Sequence, residues 1–526
     1  MKIFTLSFAS LLIASTLFAQ KASVEIGPEF KTNGDMYLWN HLYSDPSGHY
    51  VLLAEENRGF FLYKKFTPIL QKYDRAFNLG LNQEIKIEDS DIEFDDMLYA
   101  QQKFVLCTRS NDKIAQKVTI SATIVGLDAK IQKTQRIASI PYGDKDNLPD
   151  EVKWKVSADT SKILLAVWAD HDADKLQTQL QVSVQDNQLA NIWKQNFTLP
   201  YTQEQLKILN LVVSNTGQVF LSAKVYFDKK DKKAANKKEE PAPLPYKMVI
   251  FSLDASSDKA REIAPEVAGK FITDISINVG KNGELYCAGL YTNDNKGVIQ
   301  GIFYNKTKGQ TGTVEVTVNK EFSDSEIKNF STKKDKSGNE GLDPNFEMKD
   351  LILREDGGVV LTAEEVFKTH ESYTSTGGRM ETVTNYNTND VLVSSISPKG
   401  SIDWVKMIPK KQAFGGTEKY SSYALMVSGA GLCFVYNDDK DNISQPVTAA
   451  AKSISSFRDA VAGMLTISGE GKMERQKVFD IKKDSGTLLV PKRSKQISPN
   501  ELFFVTTGTV KITGKNIYRL GVIRIN

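Results

Sequence analysis

The chain has 526 residues, 40% hydrophobic and 25% charged, with a formal net charge of +3. That is the composition of a folded globular protein and excludes a disordered or collagen-like chain. The one dense lysine run, Lys229 to Lys238, ends in Glu239-Glu240-Pro241 and so gives no basic stripe of the kind a nucleic-acid binder carries.

In chain order, the first feature is Lys2 followed by an apolar stretch from Ile3 to Phe18 and a small residue at Ala19. This is a secretory signal pattern, with cleavage expected after Ala19 and residues 20–526 left as one domain. Leu17, three residues before the cut, is bulkier than the pattern prefers. The apolar run is shorter than the ~20 residues of a spanning helix, no cysteine stands near it to take a lipid, and no later segment is apolar enough to cross a bilayer. The segment Ala22 to Phe30 then alternates as Val24, Ile26 and Phe30 around polar neighbours, as a half-buried strand does.

Eight short apolar strands follow, most of them entered through a turn. With the turn residue where there is one, they read Gly48 to Ala54, Phe104 to Cys107, Ile163 to Trp168, Gly217 to Leu221, Gly283 to Cys287, Gly357 to Leu361, Gly431 to Val435 and Leu502 to Val505. The steps between them, roughly 54 to 74 residues, are the size of a propeller blade with loops. A second turn signal recurs later in the units, at Leu127-Asp128-Ala129, Asp186-Asn187, Asp254-Ala255-Ser256, Pro398-Lys399-Gly400 and Gly469-Glu470-Gly471. In the fifth unit the strands are expected at Phe271 to Val279, Glu284 to Tyr291, Val298 to Tyr304 and Thr313 to Val318. The expectation is an all-β protein, a single propeller of eight four-stranded blades. Its blades begin near Asp35, Asp91, Glu151, Gln205, Gly269, Asn345, Lys419 and Thr487, the first ending near Leu79. Seven or nine blades fit the spacing too, and a row of β-sandwiches would also give regular short strands, though no Pro- or Ser-rich linkers separate the units. Helix is expected at most over Thr202 to Leu209 and Ala449 to Ala460. The last unit is one strand short, and Ala22 to Phe30 is placed there to cover the open edge. Cys107, Cys287 and Cys433 sit in second strands among Leu, Tyr, Phe and Val and are expected to be buried, unpaired thiols.

In a meander, loops joining strands two and three, and those leading to the next blade, emerge on one face. The long insertions, Phe227 to Pro245, Phe322 to Glu347, Phe367 to Asp390 and Asn437 to Asp459, all fall in these classes, and long loops in compact domains carry function. Phe330, Tyr373, Arg379, Tyr386, Phe457 and Arg458 are the loop residues whose side chains most often anchor interfaces, and they are the candidate binding residues.

Catalytic and metal signatures are missing. His41, His49, His171 and His370 show no ligand spacing. Asp170-His171-Asp172-Ala173-Asp174 has carboxylates at alternate positions, but a calcium loop would need Gly at Lys175 and Glu at Gln181. No Gly-x-Ser-x-Gly string occurs. Asp274, Glu355 and Glu364 are carboxylates that a glycosidase reading would have to pair across a cleft. No cofactor and no metal is expected. Sialidase, Trp-Asp and kelch repeat strings are also missing.

The signal ending Leu17-Phe18-Ala19-Gln20, the Asp- or Asn-plus-Gly strand openings and the Lys/Asn-rich loops resemble envelope propellers of Bacteroidota along the whole chain. The resemblance implies a periplasmic protein: exported cargo in that group usually ends in a sorting domain, whereas Tyr518 to Asn526 here reads as blade. It also implies a non-enzymatic role with a protein partner, such as an outer-membrane or secretion assembly, for a chain that is monomeric by itself. The alternative is a glycan-binding or glycan-cleaving propeller acting at the central opening.

Overall fold

Four antiparallel strands in simple succession, repeated eight times, account for nearly all regular structure in the computed structural model. It describes residues 22–525 apart from 33–34, 59–63, 88–91, 143–148, 150, 170–176, 228–244, 266, 294–297, 310, 331, 335–337, 339, 375–377, 430, 455–458, 482–486 and 510–514. The signal segment, the Asp170 to Asp174 run and the lysine-rich insertion therefore lie outside the described residues. Blade 1 is Met36–Asp45, Gly48–Arg58, Lys64–Tyr73 and Leu79–Glu84, and blades 2 to 7 open at Ile92, Glu151, Leu206, Phe271, Phe346 and Ala424. All eight apolar runs read from the sequence are second strands.

The reason lies in how the sheets stack. A second strand has sheet on either side and a neighbouring blade against each face, so both sets of its alternating side chains are covered: Leu285–Thr292 is buried at every position. Fourth strands form the outer rim and keep one or both faces wet, as Val314–Glu321 does. Eight hydrophobic clusters fill the eight junctions between successive blades. The cluster joining Leu38, Val51 and Leu53 of blade 1 to Phe503, Val505 and Val522 of blade 8 makes the row of sheets a closed ring. Tight turns between first and second strands recur in one form: Gly283 and Gly357 adopt φ of +87° and +86°, a region where a side chain would be strained.

Closure follows the expectation from Ala22 to Phe30. Ala22–Ile26 runs antiparallel to the last strand, Asn516–Ile525, with Ala22 opposite Ile525 and Ile26 opposite Gly521, and Phe30 then lies opposite Tyr518. Arg524 links Glu25 (2.8 Å) to Glu501 (2.7 Å) across three strands of this blade. Phe30 stacks on Tyr518 with ring centroids 5.5 Å apart.

Some expectations are corrected. Thr202 to Leu209 is not helical but the end of one strand, a turn and the start of the next, because Tyr201 and Leu206 are needed in the blade 3–4 junction. Blade 1 runs on to Glu84, its wet rim strand showing no apolar run. The third strand of blade 5 opens at Gly301 rather than Val298. The described part of Ala449 to Ala460 has no helix, only an isolated bridge from Ile454 to Gln412 and, at Ala460, the start of the third strand of blade 7. A short helix, Asp324–Lys328, capped by Ser323 and Glu326, was not foreseen. The three cysteines are buried and free, their thiols pushed up by burial. Among the described residues no helix is long and apolar enough to cross a membrane, and no group of three or more His, Cys, Asp or Glu could hold a metal ion.

Candidate functional site

The meander puts the long excursions of blades 5 to 7 on one face, here called upper, and they touch one another there. Blade 6 contributes most. Its second and third strands, Val359–Thr374 and Met380–Ile396, have 16 and 17 residues, against roughly 5–6 for an ordinary strand. The first strand of the blade accompanies them only to Glu365 and the fourth only to Val391. The stretch from Val366 opposite Thr388 to Thr374 opposite Met380 therefore rises beyond the blade as a two-stranded ribbon. Hydrogen-bonding side chains stand on both faces of it: His370 Nδ1 and Thr384 Oγ1 are 3.1 Å apart, Ser372 and Thr382 hydroxyls 3.1 Å, and Asn387 donates to Thr369 (3.1 Å). Gln412–Gly415 pairs with Asn385–Thr388 and covers one edge at the base, and Gln412 also bridges to Ile454 in the blade 7 excursion.

Beneath the ribbon lies a buried polar network. Lys410 and Glu364 are both sealed from solvent and paired at 3.0 Å. The Lys410 ammonium also donates to the Thr388 carbonyl (2.6 Å) and Gln412 Oε1 (3.2 Å), while Ser422 donates to Glu364 (2.7 Å). Burial lowers the ammonium pKa, and the charges of Glu364, Asp390 and Asp438 oppose that. Gln412 donates onward to the Asn437 carbonyl (2.9 Å), and Asn437 donates to Leu489 of blade 8 (2.9 Å), so the network spans three blades. Next to it, Tyr436 Oη, Asp438 Oδ2 and Arg475 Nε are buried without a hydrogen-bond partner among the described residues, the signature of a polar hollow suited to ordered water. Glu365, half-buried near the Asp343 and Asp390 carboxyls, is pushed up to about 7, chiefly by burial.

A cavity of about 400 Å³ is lined by the first strands of blades 3 to 6, among them Lys155, Asn210, Asn278, Lys349 and Asp350. First strands of five blades carry a bulge beside an Asp or Asn: Asn40, Asp96, Asn210, Asp274 and Asp350. In four of them the side chain is tied down by a hydrogen bond. Asp96 accepts from the Met97 N–H (2.8 Å), Asn210 from Leu211 (2.9 Å), Asp274 from Met348 of the next blade (2.9 Å), and Asp350 from the Tyr423 hydroxyl (3.0 Å). The sequence carried this signal as Asp96-Met97, Asn210-Leu211, Asp274-Ile275 and Asp350-Leu351, an Asp or Asn followed by an apolar residue midway along four of the first strands.

Of the candidate binding residues, Tyr373 is 49% exposed near the ribbon tip, its hydroxyl donating to Glu381 at 3.0 Å. Arg379 is exposed beside it. Tyr386 is half-buried lower down, with the Lys368 ammonium 5.1 Å from its ring centre and Phe414 opposite. Phe330 is buried edge-on against Phe322, ring centroids 5.3 Å apart, and holds its own loop in the blade 5–6 core. Phe457 and Arg458 lie outside the described residues. Four exposed apolar side chains on this face were missed: Met380 (77% exposed), Phe227 and Phe271 on blades 4 to 6, and Ile114 by itself between the second and third strands of blade 2. Their counterparts Leu79, Ile131, Ile192 and Val314 sit singly where rim strands begin, on the opposite face.

These features define the class, a closed eight-bladed β-propeller with one elaborated face. No family model and no curated protein matches the chain. Among solved structures it is similar to the Dos1 propeller, at 9% identity over 95% of each chain and a TM-score of 0.42. It is also similar to the WD40 domain of SCAP from fission yeast, at 9% identity over 96% of this chain and 98% of that one, with a TM-score of 0.40. Against a prolyl endopeptidase structure the identity is 10% and the TM-score 0.34, and this chain, 76% of it aligned, spans about half (55%) of that one.

Proposed function

We propose that this chain is a non-enzymatic propeller of the cell envelope that holds a protein partner on the upper face of blades 4 to 7. The observation that carries the reading is the blade 6 ribbon, a braced structure projecting from the ring with Tyr373 and Met380 exposed near its tip and Phe227 and Phe271 on the same face. Exposed aromatic and methionine side chains gathered on one face suit a protein interface. The signal pattern supports export, with the periplasm as the destination and an outer-membrane or secretion assembly as the partner. The glycan alternative has less support: Asp274 and Glu364 already face Lys224 (3.8 Å) and Lys410 (3.0 Å), and Glu355 sits in a turn on the opposite face.

The test is a chain in which residues 371–383 are replaced by Thr-Asn-Gly-Thr, so that the two new threonines form the hydrogen-bonded pair that closes an Asn-Gly turn just beyond His370 and Thr384. Affinity capture from gently solubilised envelope should recover a defined partner with the full-length protein and lose it with the shortened one. Equal recovery with both would remove the upper-face reading.

A further inference from the structure

The ribbon has one covered edge and one open edge, and the open edge has a defined hydrogen-bonding pattern. Val366 N–H donates away from the third strand, to the Asn345 carbonyl at 3.0 Å. Since successive residues of a strand alternate in direction, Lys368, His370 and Ser372 also turn their backbone N–H and C=O groups away from the third strand. No described residue pairs with those groups, and all three residues are exposed. The edge continues the line along which the first strand of blade 6 pairs with the second, so a chain laid on it would extend that innermost strand upward from the mouth of the ring. Natural proteins blunt such an edge with a bulge, a proline, a covering loop or charged side chains, Lys above all. Here the opposite edge is covered at its base, over Asn385–Thr388, while this one has neither bulge, proline nor cover among the described residues. It carries Lys368 and Glu371, charges that turn away a strand without complementary ones.

We propose that the ribbon binds its partner by strand addition: an extended segment of the partner pairs antiparallel with Lys368 to Ser372. The inference rests on the upper-face reading and adds the mode of recognition. Charge sets the side-chain preference. Lys368 and Glu371 project from opposite faces of the strand, and neither has an ion-pair partner among the described residues. The segment therefore carries Asp or Glu opposite Lys368 and Lys or Arg opposite Glu371, three residues apart. Alternate side chains give specificity while the main chain gives affinity.

The probe is the acetylated, amidated peptide Ser-Thr-Lys-Thr-Val-Glu-Thr, which places its Lys opposite Glu371 and its Glu opposite Lys368. Saturable binding is expected, with slowed hydrogen exchange at the Lys368, His370 and Ser372 amides. His370→Pro removes the outward-facing donor and the exposed His370–Thr384 side-chain contact but leaves the ribbon's backbone ladder intact. It should weaken binding by roughly tenfold at unchanged melting temperature, with His370→Ala, which loses the side-chain contact alone, binding as the native chain does. The double variant K368E/E371K should instead prefer the peptide with Lys and Glu exchanged. Absence of saturable binding, binding without amide protection, or indifference to both H370P and K368E/E371K would overturn strand addition. If H370P still captured the envelope partner while the shortened ribbon did not, strand addition would fall and the upper-face reading would stand. If neither change mattered, both would fall.

Discussion

Lys410 shows how far a single residue can depart from what its neighbours suggest. Pro409-Lys410-Lys411-Gln412 reads as a solvated connection, yet Lys410 is sealed and Gln412 is a buried hub of the network. Removing one member of a buried, hydrogen-bonded pair strands the other, at a cost of about 3–5 kcal/mol. Lys410→Met should therefore lower stability by that order in urea denaturation, and adding Glu364→Gln should recover a large part of it. Equal losses in the single and double variants would mean that the pair is not coupled. His41 and His49 give a second test. Both are buried, sharing the Ser44 hydroxyl at 2.8 and 2.7 Å, and His41 Nδ1 and His49 Nε2 lack partners. Burial is the first cause that holds both rings below the ordinary histidine value, with Lys495 and Arg75 adding to it; His49 lies at about 4 and His41 well below its ordinary value. As pH falls through 6.5 the unfolded chain takes up these protons and the folded one does not. The contribution is thus intact above that pH and is lost on acidification toward about 4, by up to about 1.4 kcal/mol per pH unit for each ring. Comparing urea midpoints at about pH 7.5 and 5 should show a smaller drop in H41Q/H49Q than in the native chain.

At the level of elements, second strands were legible because burial on both faces leaves an unbroken apolar run. Of the first strands, Phe271–Val279 was legible despite its bulge at Asp274, whereas at Asp96, Asn210 and Asp350 a bulge breaks the alternation that reveals a strand. The position of the ribbon was legible as a long insertion, but its strand character was hidden. Thr369, Ser372, Thr382 and Thr384 resemble loop composition, and the cross-strand pairs that make them a ribbon appear only once the register is known. Tyr373 could be read as exposed from its polar surroundings, whereas nothing in the loop around Phe330 announced that it would fold inward. The ribbon beyond His370 rests on polar cross-strand pairs and contributes little apolar burial. The variant lacking residues 371–383 should accordingly melt within the error of the full-length chain, and a large drop would show that the ribbon braces the ring.

For the whole molecule, the question is what holds a ring of eight sheets shut. Each junction has its own apolar cluster shared by two adjacent blades, so every blade packs against both its neighbours, but the last sheet differs from the rest. Its inner strand is split into Leu488–Leu489 and Lys495–Ser498, and its outer strand comes from the opposite end of the chain. Val24 and Ile26 pack on the blade 7–8 cluster and Phe30 on the blade 8–1 cluster, so one segment serves two junctions. Deleting residues 22–32 removes these half-buried side chains, at roughly 3–6 kcal/mol by area, exposes the backbone of Asn516–Ile525 as an open edge, and unpairs Arg524 from Glu25. The expected outcome is a lower urea midpoint, accelerated proteolysis of the last blade and concentration-dependent association through the freed edge. The excised segment supplied as a peptide should reverse all three, because it binds the folded ring and not the unfolded chain. An unchanged midpoint would mean that the seven complete sheets and their clusters keep the ring closed without it.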